Sequence, residues 1–129
     1  MEITKEDFKK FEKQIILKKI GLNGQVKIKK AKVLIIGIGG LGCPTLLYLA
    51  SSGVGNIGIV DFDKVEISNL NRQLIFNKKD IGKSKVIQAK KYIKSTNPKT
   101  KIKTYNLKIS KKNINKIIKN FDIIGDGSD

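Results

Sequence analysis

The chain has 129 residues, of which 40% are hydrophobic, enough for one modest core and not for two. Its single cysteine, Cys43, excludes an internal disulfide and a cysteine-built zinc site, and the absence of histidine excludes imidazole catalysis. A formal charge of +16 raises nucleic acid as a partner. The basic residues are spread along the whole chain as lysines, however, which reads as a solvated surface, and neither nucleic acid nor membrane is expected to bind. The N-terminus MEITKEDFKK lacks the apolar core of a signal peptide, and no apolar run reaches the roughly 18–20 residues of a membrane span, so a cytoplasmic location is expected.

The first predicted element runs from Lys5 to Ile20, where Phe8, Phe11, Ile15, Ile16 and Ile20 recur at helical spacing and Thr4 with Asp7 offers a capping box. Gly21 and Gly24 are expected to end that helix, making residues 1–24 an N-terminal helix and turn ahead of βα units over 31–129. Val33 to Ile36 is a short apolar run, suited to a strand buried on both faces. It breaks into Gly37, Gly39, Gly40 and Gly42. Gly37, Gly39 and Gly42 match G-x-G-x-x-G, whose missing side chains allow a tight turn and let backbone N–H groups approach a phosphate at the next helix N-terminus. The bland alternative is a strand-turn-helix whose glycines serve packing.

That helix starts near Pro44 and runs to Ser52, with Leu46, Leu47, Leu49 and Ala50 on its buried side. A second strand, Asn56 to Val60, ends in Asp61, where a carboxylate can accept hydrogen bonds from ribose hydroxyls. Asp63 follows, facing either magnesium or a basic partner, or capping the loop. Then comes a dense polar cluster, Ser68 to Gln73, holding Arg72, the only arginine among 27 basic residues. Its fork and the neighbouring amides of Asn69 and Gln73 suit phosphate oxygens. Asp80 is expected to open a helix reaching Thr96, with Lys83 and Lys85 near its start, and each lysine taken alone reads as surface. A third strand is expected over Lys101–Leu107, a short helix near Lys111–Lys119, and a fourth strand over Phe121–Gly125 running into Asp126-Gly127-Ser128-Asp129. The expected fold class is α/β, a Rossmann-like, mostly parallel sheet with flanking helices.

The ordered set GIGGLG, VDFD, SNLNRQ, DIGKSK and DIIGDGSD resembles the adenylation domain of the ubiquitin-activating E1-like superfamily, closest to bacterial enzymes that activate sulfur carriers for molybdopterin and thiamin synthesis. The likeness covers nearly the whole chain from Gln14 onward. It implies a homodimer that uses ATP and magnesium to adenylate the C-terminal glycine of a ubiquitin-like sulfur carrier. By that resemblance Gly39 and Gly42 would approach the phosphates and Asp61 would hold the ribose. Asn69, Arg72 and Lys85 would surround the triphosphate, and Asp129 would bind magnesium. The chemistry needs alignment and charge neutralisation, with no histidine base.

Two departures stand out. Lys13 occupies the place where family members carry an arginine that reaches the neighbouring subunit's ATP; the charge remains and the fork is lost. The family pattern also continues beyond Asp129 into further strands, a carrier-binding surface and, often, paired CxxC zinc motifs, so an ATP-binding half cut after its fourth strand is expected, with zinc only in the missing part. Its unfinished sheet edge predicts poor solubility or improper dimerisation of the isolated chain. Two other readings stay open: a nicotinamide-binding domain of a dehydrogenase, and a non-catalytic ATP-binding module.

Overall fold

The structure, a computed structural model, describes residues 2–129. Strands β1 (Lys32–Ile36), β2 (Asn56–Val60), β3 (Lys101–Tyr105) and β4 (Ile123–Asp126) form one sheet in the order β3-β2-β1-β4. All three pairings are parallel, with Ile35 opposite both Ile59 and Gly125. Helices α1 (Lys5–Ile15), α2 (Gly21–Lys30), α3 (Gly42–Ser51), α4 (Lys85–Thr96) and α5 (Ile114–Ile118) flank it. This is the Rossmann-like α/β arrangement expected, with the sheet wholly parallel.

Strand alternation divides the core in two. Val33, Ile35, Ile57, Ile59 and Ile102 pack under Leu46 and Ala50 of α3 and Val86, Ala89 and Ile93 of α4. On the other face Leu34 and Val60 meet Ile117, with Phe121 beside them. Phe121 was expected to open the last strand. Instead it precedes β4, and its ring occupies the space above Gly58 that any Cβ there would need. Tyr105 meets that ring edge-on at 6.4 Å. The third strand is likewise shorter than expected, ending at Tyr105, and the short helix begins only at Ile114.

The N-terminal region departs further from expectation. The helix stops at Ile15, and Gly21 and Gly24 lie within a second helix rather than ending the first. The Leu17 carbonyl accepts from both Ile20 and Gly21, and Gly21 takes φ +61, a turn that reverses the chain at low cost to glycine. Hydrophobic periodicity missed the break because the stripe is not uniformly buried: Phe11 is buried, whereas Phe8 and Ile16 are exposed. A polar knot replaces the expected stripe. Gln14 donates to Gln25 Oε1 at 2.9 Å and to the Ser52 carbonyl at 3.0 Å, and Gln25 donates to the same carbonyl at 3.0 Å. Gln25, 0% exposed, thereby satisfies the end of α3.

Nearby, Asp7 completes the capping box with Thr4 and pairs with Lys29 at 2.9 Å. Burial alone would raise its pKa, but the hydrogen bonds from Lys29, Thr4 and Lys99 outweigh burial and hold the carboxyl well below the usual range. A depressed folded-state pKa gives stability that is present above the unfolded value near 3.9 and lost as the pH falls through the folded one.

Gln25→Leu is expected to cost about 1–3 kcal/mol, because the Ser52 carbonyl and the Gln14 amide each lose one of their two buried hydrogen bonds; urea unfolding at pH 7 measures it. Asp7→Asn is expected to cost about 1.5–3 kcal/mol at pH 7, with the difference from wild type shrinking as the pH drops below about 4. Unfolding curves recorded across that range test the sign.

Candidate nucleotide site

The site is built at the carboxyl ends of β1, β2 and β4, where an open parallel sheet exposes its loops. After Ile36 the chain enters Gly37, whose N–H donates to the Val60 carbonyl at 2.7 Å and whose φ is +88. A Cβ at Gly37 would lie 2.9 Å from the Ser128 nitrogen, and one at Gly42 would overlap the Gly37 carbonyl. Glycine at both positions is therefore required by backbone packing. α3 starts at Gly42, so the positive end of its dipole faces the loop, while the Cys43 and Thr45 N–H groups donate to the Gly39 and Leu41 carbonyls and Pro44 has none.

Asp61 ties the loop to β2. Its Oδ2 accepts from the Ile38 N–H and its Oδ1 from the Asp63 N–H, each at 2.8 Å. Each carboxylate oxygen retains a second lone pair for a hydroxyl donor.

The polar cluster folds back onto the glycines. Ile67–Asn69 forms a 3-10 turn in which Asn69 Oδ1 caps the Glu66 N–H and the Asn69 carbonyl accepts from Arg72 and Gln73. A Cβ on Gly40 would sit 3.5 Å from Arg72 Nε, and one on Gly39 would sit 3.8 Å from Gln73 Nε2. Arg72 is exposed and held by Nη1 bonds to the Ser68 carbonyl and Asn71 Oδ1, both 3.0 Å. Gln73 is 2% exposed, and its Oε1 has no partner. An unmet buried acceptor is costly, and it sits beside the loop.

Lys85 corrects the expectation of a surface lysine. Asp80 closes a 3-10 turn, Lys78–Asp80, instead of opening the helix; α4 begins at Lys85, after Ser84 bridges Lys64. That placement buries the Lys85 side chain to 7% exposure, with Asp63 Oδ2 at 4.0 Å from Nζ. Nothing in a lysine-rich stretch distinguishes the buried lysine from exposed Lys83.

On the third side, the Gly127 N–H donates to the Ile36 carbonyl at 2.8 Å, setting residues 127–128 against Gly37. Asp126 Oδ1 accepts from the Ser128 hydroxyl and N–H, which hold its carboxyl below the ordinary value. Asp129 follows, exposed. In the sequence Asp126 carries no signal beyond its spacing before Ser128, an Asx-turn pattern. Cys43 lies behind the loop, 3.7 Å from the Ile38 carbonyl, and burial pushes its thiol up to about 12. It packs rather than reacts. The structure thus gathers Gly37, Gly39, Gly40, Gly42, Asp61, Asp63, Asn69, Arg72, Gln73 and Lys85 around one end of the sheet. Lys13 stands apart, exposed on α1, whose bonds from Gln14 and Lys10 reach Ser52 and Asn97 at the opposite end.

Comparison with known proteins places this architecture. The chain is 41% identical over 128 residues to "Adenylyltransferase and sulfurtransferase MOCS3" of Culex quinquefasciatus, covering 99% of this chain and 29% of the relative. It is 38% identical over 129 residues to "Sulfur carrier protein adenylyltransferase" of Thermus thermophilus, covering 100% of this chain and 48% of the relative. It therefore spans less than half the length of either. Among solved structures, E. coli MccB with ATP superposes with TM-score 0.70 at 36% identity over 72% of this chain and 28% of that one. TcdA superposes with TM-score 0.92 over 100% of this chain and 50% of that one at 23% identity, a likeness of fold. The ThiF family model matches residues 11–129, from Phe11 in α1 through the residues that rest on Gly37, and the chain belongs to the ThiF family.

Proposed function

We propose that this chain is the ATP-binding part of an adenylyltransferase that activates the C-terminal glycine carboxylate of a small ubiquitin-like sulfur carrier. The observation that carries the reading is the approach of Arg72 and Gln73 to Gly40 and Gly39 beside buried Lys85. Cations and a glycine-rich N–H cradle on one sheet end suit a polyphosphate. The names of the relatives supply the reaction class, and MccB solved with ATP supplies the nucleotide.

In that reaction a carboxylate oxygen attacks the α-phosphorus, the bond to the β-phosphate oxygen breaks, and pyrophosphate leaves. The glycine loop presents N–H groups to the phosphates with the positive end of the α3 dipole behind it, and Asp61 offers its remaining lone pairs to the ribose. Asn69, Arg72 and Lys85 neutralise and align the triphosphate, which is the larger part of phosphoryl-transfer catalysis. Magnesium is usually held by one or two carboxylates together with phosphate oxygens. Among the described residues no group of three ligating side chains gathers, and Asp129 is the carboxylate we assign to the metal. The ion would screen charge on the leaving pyrophosphate. Lys13 reaches no nucleotide in its own protomer in this reading, and serves the neighbouring subunit's site in a homodimer. Exposed Leu41, Tyr48, Phe62, Ile67 and Leu74 are apolar surface suited to such an interface. No helix of the described residues is long and apolar enough to cross a membrane.

Calorimetric titration with magnesium ATP, and separately with NAD, tests the reading. ATP is expected to bind and NAD to give no heat. Arg72→Ala and Asp61→Ala should each weaken ATP by about tenfold or more, the scale of a charge-assisted hydrogen bond. NAD binding, or ATP binding indifferent to Arg72, would overturn it.

A further inference from the structure

Buried lysines are held by partners, because an ammonium removed from water without one is strongly disfavoured. Lys85 has a partner of an unusual kind. Its side chain is 7% exposed, and the one carboxylate within salt-bridge range of Nζ is Asp63, at 4.0 Å and itself 56% exposed. At that separation the pair is an ion pair with no hydrogen bond closing it. The backbone around it is tightly fixed: the Lys85 N–H donates to the Asp63 carbonyl at 3.1 Å, and the Asp63 N–H donates to Asp61 at 2.8 Å. Asp61 in turn holds the Ile38 N–H of the glycine loop. Residue 63 is thus anchored on both sides through its backbone, while its carboxylate is left to face the ammonium.

Resting on the nucleotide reading above, we propose that Asp63 is a stand-in for the polyphosphate. Its carboxylate keeps the buried Lys85 ammonium neutralised and pointed at the site while the nucleotide is absent. Binding exchanges this anionic partner for a phosphate oxygen, and the long contact lets the ammonium move without breaking a formed hydrogen bond. Asp63 is therefore a positioning residue that acts through Lys85 and opposes the nucleotide. Removing its charge leaves the free state with an uncompensated ammonium and removes a like charge from beside the phosphates. Both effects favour the bound state.

The test is a double-mutant cycle on ATP affinity, read by calorimetry in the presence of magnesium, with Asp63→Asn, Lys85→Met and the double variant. Asp63→Asn is expected to tighten ATP about three- to fivefold, the range of an exposed ion pair, and Lys85→Met to weaken it. In the Lys85→Met background the Asp63→Asn gain should shrink to what removing the like charge alone gives, a coupling that a purely structural role for Asp63 would not produce. Asparagine keeps the shape and methionine fills the buried volume, so thermal unfolding of each variant should remain cooperative. Weaker ATP binding in Asp63→Asn would show that the carboxylate serves the bound state, and an unchanged Asp63→Asn effect in the Lys85→Met background would show that it does not act through the lysine. Either result overturns the proposal while leaving ATP binding by the wild type intact. A wild type silent to ATP would overturn both this inference and the reading it rests on.

Discussion

The bond from the Ile38 N–H to Asp61 Oδ2 is the constraint on which this structure's working end depends. A glycine-rich loop has little of its own to hold it, since the residues that allow its shape contribute no side chains. Here one carboxylate at the end of β2 fixes the loop after β1, and its other oxygen fixes the chain that leaves toward Lys85. Three connections that leave neighbouring strands, β1 to α3, β2 onward and β4 outward, meet at one end of the sheet. The parallel register brings these ends level, with Ile36 opposite Val60 and Asp126. Without the register the clamp would have nothing to reach.

Much of this frame was legible in the sequence because its determinants are local. Val33–Ile36 and Asn56–Val60 are apolar runs bounded by glycine and acid, and glycine at 37 and 42 is forced by backbone contacts that leave a readable mark. What was not legible depends on distant partners. The break between α1 and α2 follows from the Gln14–Gln25–Ser52 knot, in which a buried glutamine looks like any surface residue. The burial of Lys85 follows from where the helix starts after the Lys64–Ser84 bridge, and Phe121 leaves the strand pattern because Gly58 offers its ring a seat. Composition contains no trace of either choice.

The high positive charge has a similar lesson. A formal +16 describes the surface of the chain and little of its chemistry. The candidate site brings together Arg72 and Lys85, of which one lies over the loop and the other is enclosed, with Asp61, Asp63 and Asp126, acids from a set that is scarce in this chain. The proposed function draws on that local arrangement of charge and not on the net value.

Cys43 gives the molecule a property unrelated to its chemistry. With its thiol pushed up to about 12, the reactive thiolate is a vanishing fraction at neutral pH, and the sulfur lies buried under the Ile38 carbonyl. Alkylating reagents can reach it only when the packing behind the glycine loop comes apart. As the single cysteine in the chain, its labelling rate is a native clock for that opening, readable without introducing any probe.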